Sequence, residues 1–307
     1  MFEYSLDMVR MSCEIKVQDF KYIFNILVND SNVSYREMNS ITAYRHNFYI
    51  KDSFESGDIK YKYLVHGDYL EQVRIDKLDS CSFWVGAYHN ARFEKSSYID
   101  LVIEYNPNKC ASSYYLDYIL RRCFLDNDST TVKKIDFAID IPLDIKDVHL
   151  IRDYNSSFRV FDNGGSDRTY YMRKRGSNGS FKLYNKRLES NLSFDKTRYE
   201  ITLHVNNSLK YIDSYKADLN LFPKLRLTDS VQLDFNFSSK ITGTDKVLLL
   251  ACMEHPEYLK ELSRDKRKKI ESLLSSLDSE VSFNDCFIID NTIQDYFNLL
   301  KSSNKKQ

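Results

Sequence analysis

Apolar and polar positions alternate over residues 4–15, the period of a β-strand. From 17 to 29 the period lengthens. Val17, Phe20, Ile23, Phe24 and Leu27 recur at helical spacing, so a helix follows the strand. Strand-like runs return at residues 43–50, 60–66, 82–88 and 98–105. Residues 112–124 again suit a helix, with Tyr115, Ile119, Leu120 and Cys123 on its apolar side. Further strands are expected at 132–141, 157–161, 168–174 and 196–205. The cluster Gly176-Ser177-Asn178-Gly179-Ser180 is a turn between two strand patterns, which makes 168–187 a hairpin.

The pattern changes after about residue 240. Residues 246–253, 256–277 and 284–300 carry helical spacing and few β-branched runs. The expected fold is α+β: a sheet-rich catalytic part with a central antiparallel or mixed sheet over residues 1–240, then a helical region over 241–307. The order strand, helix, strand occurs in both halves of residues 1–205, as in a duplicated unit, but no sequence repeat accompanies it.

Charge and composition narrow the chemistry. With 44 basic and 44 acidic residues the formal net charge is zero, so nucleic-acid binding would have to come from local basic patches. Six scattered cysteines form no C-x-x-C pair, which excludes a zinc ribbon. No His-hydrophobic-His triplet occurs among the six histidines. There is no GK[ST] after Gly164-Gly165, no nucleophilic-serine elbow and no GxGxxG. The first ten residues carry charge where a signal peptide would be apolar, and no long apolar run could span a membrane. A reduced, cytoplasmic, soluble protein is the expectation.

Strand alternation sorts the polar groups into faces. In residues 134–140, Lys134, Asp136, Ala138 and Asp140 share one face, opposite Ile135, Phe137 and Ile139. In 198–204, Arg198, Glu200, Thr202 and His204 share a face. Glu104 lies on the strand before the turn Asn106-Pro107-Asn108. In 181–186, Lys182, Tyr184 and Lys186 share the face opposite Phe181 and Leu183. Together these are the parts needed to break a phosphodiester. Carboxylates hold Mg²⁺ or Mn²⁺, which prefer oxygen ligands. The tyrosine oxygen attacks phosphorus, and a lysine or the metal stabilises a phenolate whose ordinary pKa is about 10.

Four segments, in order and over about residues 97–210, resemble the Rep-trans family of rolling-circle plasmid replication initiators: VIEYNPNK at 102–109, KIDFAID at 134–140, the hairpin from Thr169-Tyr170-Tyr171 to FKLYNKRLE at 181–189, and RYEITL at 198–203. The resemblance implies that Tyr184 is the nicking tyrosine, with Asp136, Asp140 and Glu200 around the metal and Glu104 a further candidate. It implies a protein that nicks one strand at a double-strand origin, stays joined to the 5′ phosphate, later rejoins the ends, acts as a homodimer and recruits a host DNA helicase. The same chemistry would serve a relaxase of a conjugative or integrative element, and a non-catalytic DNA-binding regulator could keep the fold. The chain departs from the family at Met172-Arg173-Lys174-Arg175, where Gly-Ser-Arg or Gly-Val-Arg is frequent, and at the hairpin tip Gly176-Ser177-Asn178-Gly179, often acidic in the family. Tyr170 and Tyr171 are the other tyrosines of the hairpin that could act as nucleophile.

Two basic clusters stand out as DNA contacts. One is the hairpin, with Arg173, Lys174, Arg175 and Arg187. The other is KELSRDKRKK at 260–269, with Arg264, Lys266, Arg267 and Lys268 on an expected helix; by the resemblance this C-terminal region recognises the origin.

Overall fold

The computed structural model describes residues 2–28, 33–39, 43–55, 61–66, 69–74, 78–90, 98–110, 113–151, 156–162, 168–227, 241, 243–255, 258–276, 280–281 and 286–303. The chain opens with β1 (Glu3–Lys16) and α1 (Val17–Val28). Then come β2 (Val33–Asn39), β3 (Ala43–Glu55), β4 (Tyr61–His66), β5 (Tyr69–Arg74), β6 (Leu78–Asn90) and β7 (Tyr98–Tyr105). After α2 (Tyr114–Ile119) follow β8 (Thr131–Ile141), β9 (Val148–Leu150), β10 (Phe158–Asp162), β11 (Arg168–Met172) and β12 (Phe181–Asn185). Next are α3 (Lys186–Ser190), β13 (Thr197–Ser208) and β14 (Leu225–Leu227). The C-terminal part holds α4 (Gly243–Glu254), α5 (Tyr258–Glu261), α6 (Arg264–Ser276), β15 (Glu280–Val281) and α7 (Cys286–Ser303). The fold is α+β.

Two compact units share this chain. The first is Met1–Ser5, Phe137–Leu203 and Lys216–Ile289; the second is Leu6–Asp136, His204–Tyr215 and Asp290–Gln307. β1, β8, β13 and α7 each contribute residues to both.

In the first unit the strands run in the order β10-β11-β12-β13-β8. The pairs β10/β11, β11/β12 and β12/β13 are antiparallel. One face buries Phe181, Leu183, Tyr199, Ile201 and Leu203. Side chains of this size contribute roughly 1.5–3 kcal/mol each on burial, so this face anchors the strands that carry the polar groups. Tyr199 packs edge-on to Phe181 at 4.6 Å between ring centroids, and its hydroxyl donates to the Pro223 carbonyl at 3.1 Å. A small antiparallel sheet, β15-β14-β9, belongs to the same unit. So do α4 and α6, which meet through Leu249, Cys252, Met253 and Ile270.

The hairpin between β11 and β12 turns through a left-handed residue. Arg173 has φ 67°, and its backbone N–H donates to the Ser157 carbonyl at 2.7 Å. Gly179 has φ +74°, and a Cβ there would lie 2.4 Å from the Arg173 Nη1. Glycine suits that position on conformation and on space.

In the second unit the order is β8-β1-β7-β6-β3-β2, and β4 pairs with β5 in a separate hairpin. Val9, Met11, Ile103, Ile119 and Phe124 are fully buried in its core. Ser113 caps α2 by accepting from the Leu116 N–H at 3.2 Å. The helix expected over 112–124 is α-helical only to Ile119 and then widens into a π-helical turn, Leu120–Leu125. The Tyr105 and Tyr296 hydroxyls hydrogen-bond at 2.7 Å.

Other expectations needed correction. The helix expected over 256–277 is two helices, α5 and α6, interrupted at Leu262 and Ser263. The strands β2, β5, β9, β14 and β15 were not anticipated; the last three are three residues or shorter and show no period. Among the described residues no helix is long and apolar enough to cross a membrane.

Candidate active site

The register of β12 against β13 builds the site. Lys182 pairs with Glu200 and Tyr184 with Arg198. Residues directly opposite across a ladder point to the same side, so these four side chains share one face. On β11, Thr169 pairs with Tyr184 and Tyr171 with Lys182, which adds both to that face. Tyr170 pairs with Leu183 and therefore lies on the other face. Of the two alternative nucleophiles, Tyr171 shares the Tyr184 face and Tyr170 does not.

Tyr184 is 5% exposed. Its hydroxyl donates to Glu200 Oε2 at 3.4 Å, a long contact. The Lys182 ammonium sits 3.7 Å from the centre of the Tyr184 ring, and the Lys186 ammonium 5.9 Å. Both lie within reach of the ring quadrupole, and both would attract a phenolate more strongly than a phenol.

Lys186 arrives differently from the way alternation suggests. β12 ends at Asn185, whose side-chain oxygen accepts from the Leu188 N–H at 3.1 Å and so caps α3. Lys186 is thus the first residue of a short helix, where its ammonium pairs with Glu189. The turn of the helix, not the strand, carries it toward Tyr184.

Asp140 is held by cations. Arg198 Nε donates to its Oδ1 at 2.6 Å and Nη2 to its Oδ2 at 2.8 Å, a bidentate pair with both side chains buried. Lys196 stands 3.5 Å from Oδ2 and also binds Glu3 at 2.6 Å. Burial by itself would push the Asp140 carboxyl up. The hydrogen bonds and charge of Arg198, with Lys196 and Lys186 behind them, outweigh burial and hold it below the usual carboxylate value.

The other two acids belong to the second unit. Asp136 lies 3.8 Å from the Lys134 ammonium, and Glu104 lies 3.6 Å from Arg10. Among the described residues no three carboxylate, imidazole or thiolate side chains come together as a metal-holding set. Asp140 presents both oxygens to Arg198, and Glu200 faces the Tyr184 hydroxyl.

The expected DNA contacts, all in the first unit, divide into exposed side chains and side chains paired within the protein. Lys174 and Arg175 are exposed at the hairpin tip, and Arg264 and Lys268 are exposed on α6. Arg187 is exposed and pairs with Asp195 at 2.6 Å. Arg173 is turned inward, its Nη1 donating to the carbonyls of Gly179 at 2.7 Å and Leu221 at 2.6 Å. Arg267 donates to the carbonyls of Leu259 at 2.7 Å and Lys260 at 2.9 Å and so caps α5. Lys266 and Lys269 both bind Asp245, which is 1% exposed at the start of α4. The cluster at 260–269 thus spends part of its charge holding three helices together.

The grip of Arg198 and Lys196 on Asp140 was not foreseen. Its signal was present in part: Arg198 falls on the polar face of its strand by alternation.

No family model matches the chain, and no curated protein matches it. Among solved structures, a rolling circle replication initiator protein from Geobacillus stearothermophilus aligns with 66% of this chain and 75% of its own, at 13% identity and a TM-score of 0.31. A likeness at that level carries no argument.

Proposed function

We propose that the protein nicks and rejoins one strand of DNA through a covalent link between Tyr184 and a 5′ phosphate, and that it initiates rolling-circle replication of a plasmid from a double-strand origin. The observation that carries this is the company of Tyr184. Two ammonium groups and a carboxylate converge on a single tyrosine, on the face of β12 and β13 that also carries Arg198. The four motif segments that resemble rolling-circle initiators support the same conclusion from the sequence.

In this mechanism Glu200 takes the phenol proton. The phenolate, stabilised by Lys182 and Lys186, attacks phosphorus. A P–O bond to Tyr184 forms and the P–O3′ bond breaks, and the departing 3′ oxygen collects a proton from solvent. Rejoining runs the steps backward, with the 3′ hydroxyl attacking the phosphotyrosine. Because Tyr184 is nearly covered, Lys182 must swing from the ring onto the incoming phosphate, exchanging a cation–π contact for a charged one. Mg²⁺ or Mn²⁺ belongs to this proposal as the cofactor: held by acids among Asp136, Asp140, Glu200 and Glu104, it would polarise the scissile phosphate. Lys174, Arg175, Arg264 and Lys268 are the exposed cations suited to the DNA backbone. The homodimer and the host DNA helicase belong to this proposal as partners.

The deciding experiment is incubation with single-stranded DNA of the plasmid's own origin, with and without Mn²⁺, followed by denaturing electrophoresis. A slow-migrating protein–DNA adduct is expected, absent in Tyr184→Phe. Adduct formation by Tyr184→Phe would overturn the assignment and point to Tyr171.

One observation favours a second reading. Asp136, Asp140 and Glu104 are each paired with a basic side chain, as expected of a DNA-binding protein that keeps the fold without the chemistry. Origin binding with no adduct under any divalent cation would select that reading.

A further inference from the structure

A cavity of about 280 Å³ lies in the first unit, lined by Ile145, Lys146, His149, Arg168, Tyr170 and Leu250 among others. It is separate from the Tyr184 site. Arg168 and Tyr170 share the face of β11 opposite the one that Thr169 and Tyr171 contribute to that site, because Tyr170 pairs with Leu183. Its walls are of three kinds. Lys146 on the turn Ile145–Asp147, His149 on β9 and Arg168 on β11 supply donors, two of them permanently cationic. Tyr170 supplies an aromatic ring. Ile145 and Leu250 supply an apolar wall.

From this juxtaposition we propose that the cavity binds a single phosphorylated nucleoside. The phosphate meets Arg168, which can bond two oxygens at once, and Lys146, which acts as a point charge. The base lies against Tyr170 and the apolar wall, since every base has a face that stacks on an aromatic ring. The volume falls just below the usual range for small-molecule pockets, about 300–1,000 Å³, which suits one nucleotide and excludes an oligomer held inside. The nucleotide has two possible sources, the 5′-phosphorylated end of a single strand or a free nucleotide, and both present the same chemistry. The proposal is independent of the role of Tyr184.

The test is calorimetric titration of the full chain with thymidine 5′-monophosphate, thymidine and inorganic phosphate. The monophosphate should bind at least about tenfold more tightly than either fragment, because each fragment makes half the contacts. Arg168→Gln and Lys146→Met should each weaken it roughly tenfold, and Tyr184→Phe should leave it unchanged. Lys146 is exposed on a turn, so its variant keeps the fold even if Arg168→Gln does not. A 5′-phosphorylated oligothymidylate that displaces the monophosphate assigns the site to a strand end, and one that fails to displace it assigns the site to a free nucleotide. No binding, binding indifferent to both variants, or phosphate binding as tightly as the monophosphate would overturn the proposal.

Discussion

Tyr184 and Tyr199 stand on adjacent strands of the same unit, 15 positions apart in the sequence, and face opposite ways. Both are buried, at 5% and 0% exposure. Tyr199 is wrapped by Phe181 and Phe222, and burial pushes its hydroxyl well above the ordinary tyrosine value. Tyr184 is wrapped by Lys182, Lys186 and Glu200. The difference lies in what covers each hydroxyl, not in how deeply it is buried. An apolar wall raises the cost of a phenolate, whereas ammonium groups lower it. One strand period separates a tyrosine walled by apolar rings from one walled by charged side chains.

The sharpest way to break this contrast is to remove the Tyr184 hydroxyl. Tyr184→Phe should abolish the covalent adduct while urea unfolding shifts by about 1 kcal/mol or less, since the lost hydrogen bond is long. A variant that loses the adduct only because it unfolds would show the shift in urea first.

Next in size is the clamp behind the site. Arg198→Met leaves Asp140 buried without its bidentate partner, which should cost about 3 kcal/mol at pH 7. The pH dependence has a definite sign. The folded carboxyl lies below its unfolded value of about 3.9, so the pairing adds stability above that pH and loses it as pH falls through the folded value. Urea unfolding at pH 7 and pH 3 should therefore show a wide gap between parent and variant that narrows in acid. A gap that is constant with pH would show that Arg198 acts through packing.

These faces were legible in the sequence because alternation over residues 181–185 and 198–203 is regular, and each strand has one apolar face to fix its register. What alternation cannot show is where a strand stops. Lys186 was expected on the strand, but Asn185 caps a helix and brings it in by another path. Nor can it show hydrogen bonds across long stretches of chain. Arg173 reads as a DNA contact until its guanidinium is found on Leu221, 48 residues away. The break at Leu262 and Ser263 was hidden for the same reason: a charged helix with an amphipathic stripe looks continuous until Arg267 is seen capping the helix before it. The cavity walled by Lys146, Arg168 and Leu250 combines three distant segments, and no local pattern marks it.

A smaller effect sharpens the electrostatic half of the contrast. Lys182→Met removes the nearer ammonium from the Tyr184 ring. If that charge eases phenolate formation, nicking at pH 7 should fall about tenfold for each unit by which the phenol pKa rises. The rate should recover as pH is raised, because the phenolate population grows with it. Lys182→Arg should keep most of the activity. A rate lowered equally at every pH would mean that Lys182 serves only to hold DNA.

The smallest expected effect closes the comparison from the other side. Tyr199→Phe removes a hydroxyl that donates to the Pro223 carbonyl inside the apolar wall. It leaves one buried carbonyl short of a partner and keeps the ring against Phe181 and Phe222. The cost should be about 1 kcal/mol in urea unfolding, with no change in adduct yield. Adduct yield that falls with Tyr199→Phe while stability holds would mean that the two faces are coupled through β13, and that the position of Glu200 depends on the packing beneath it.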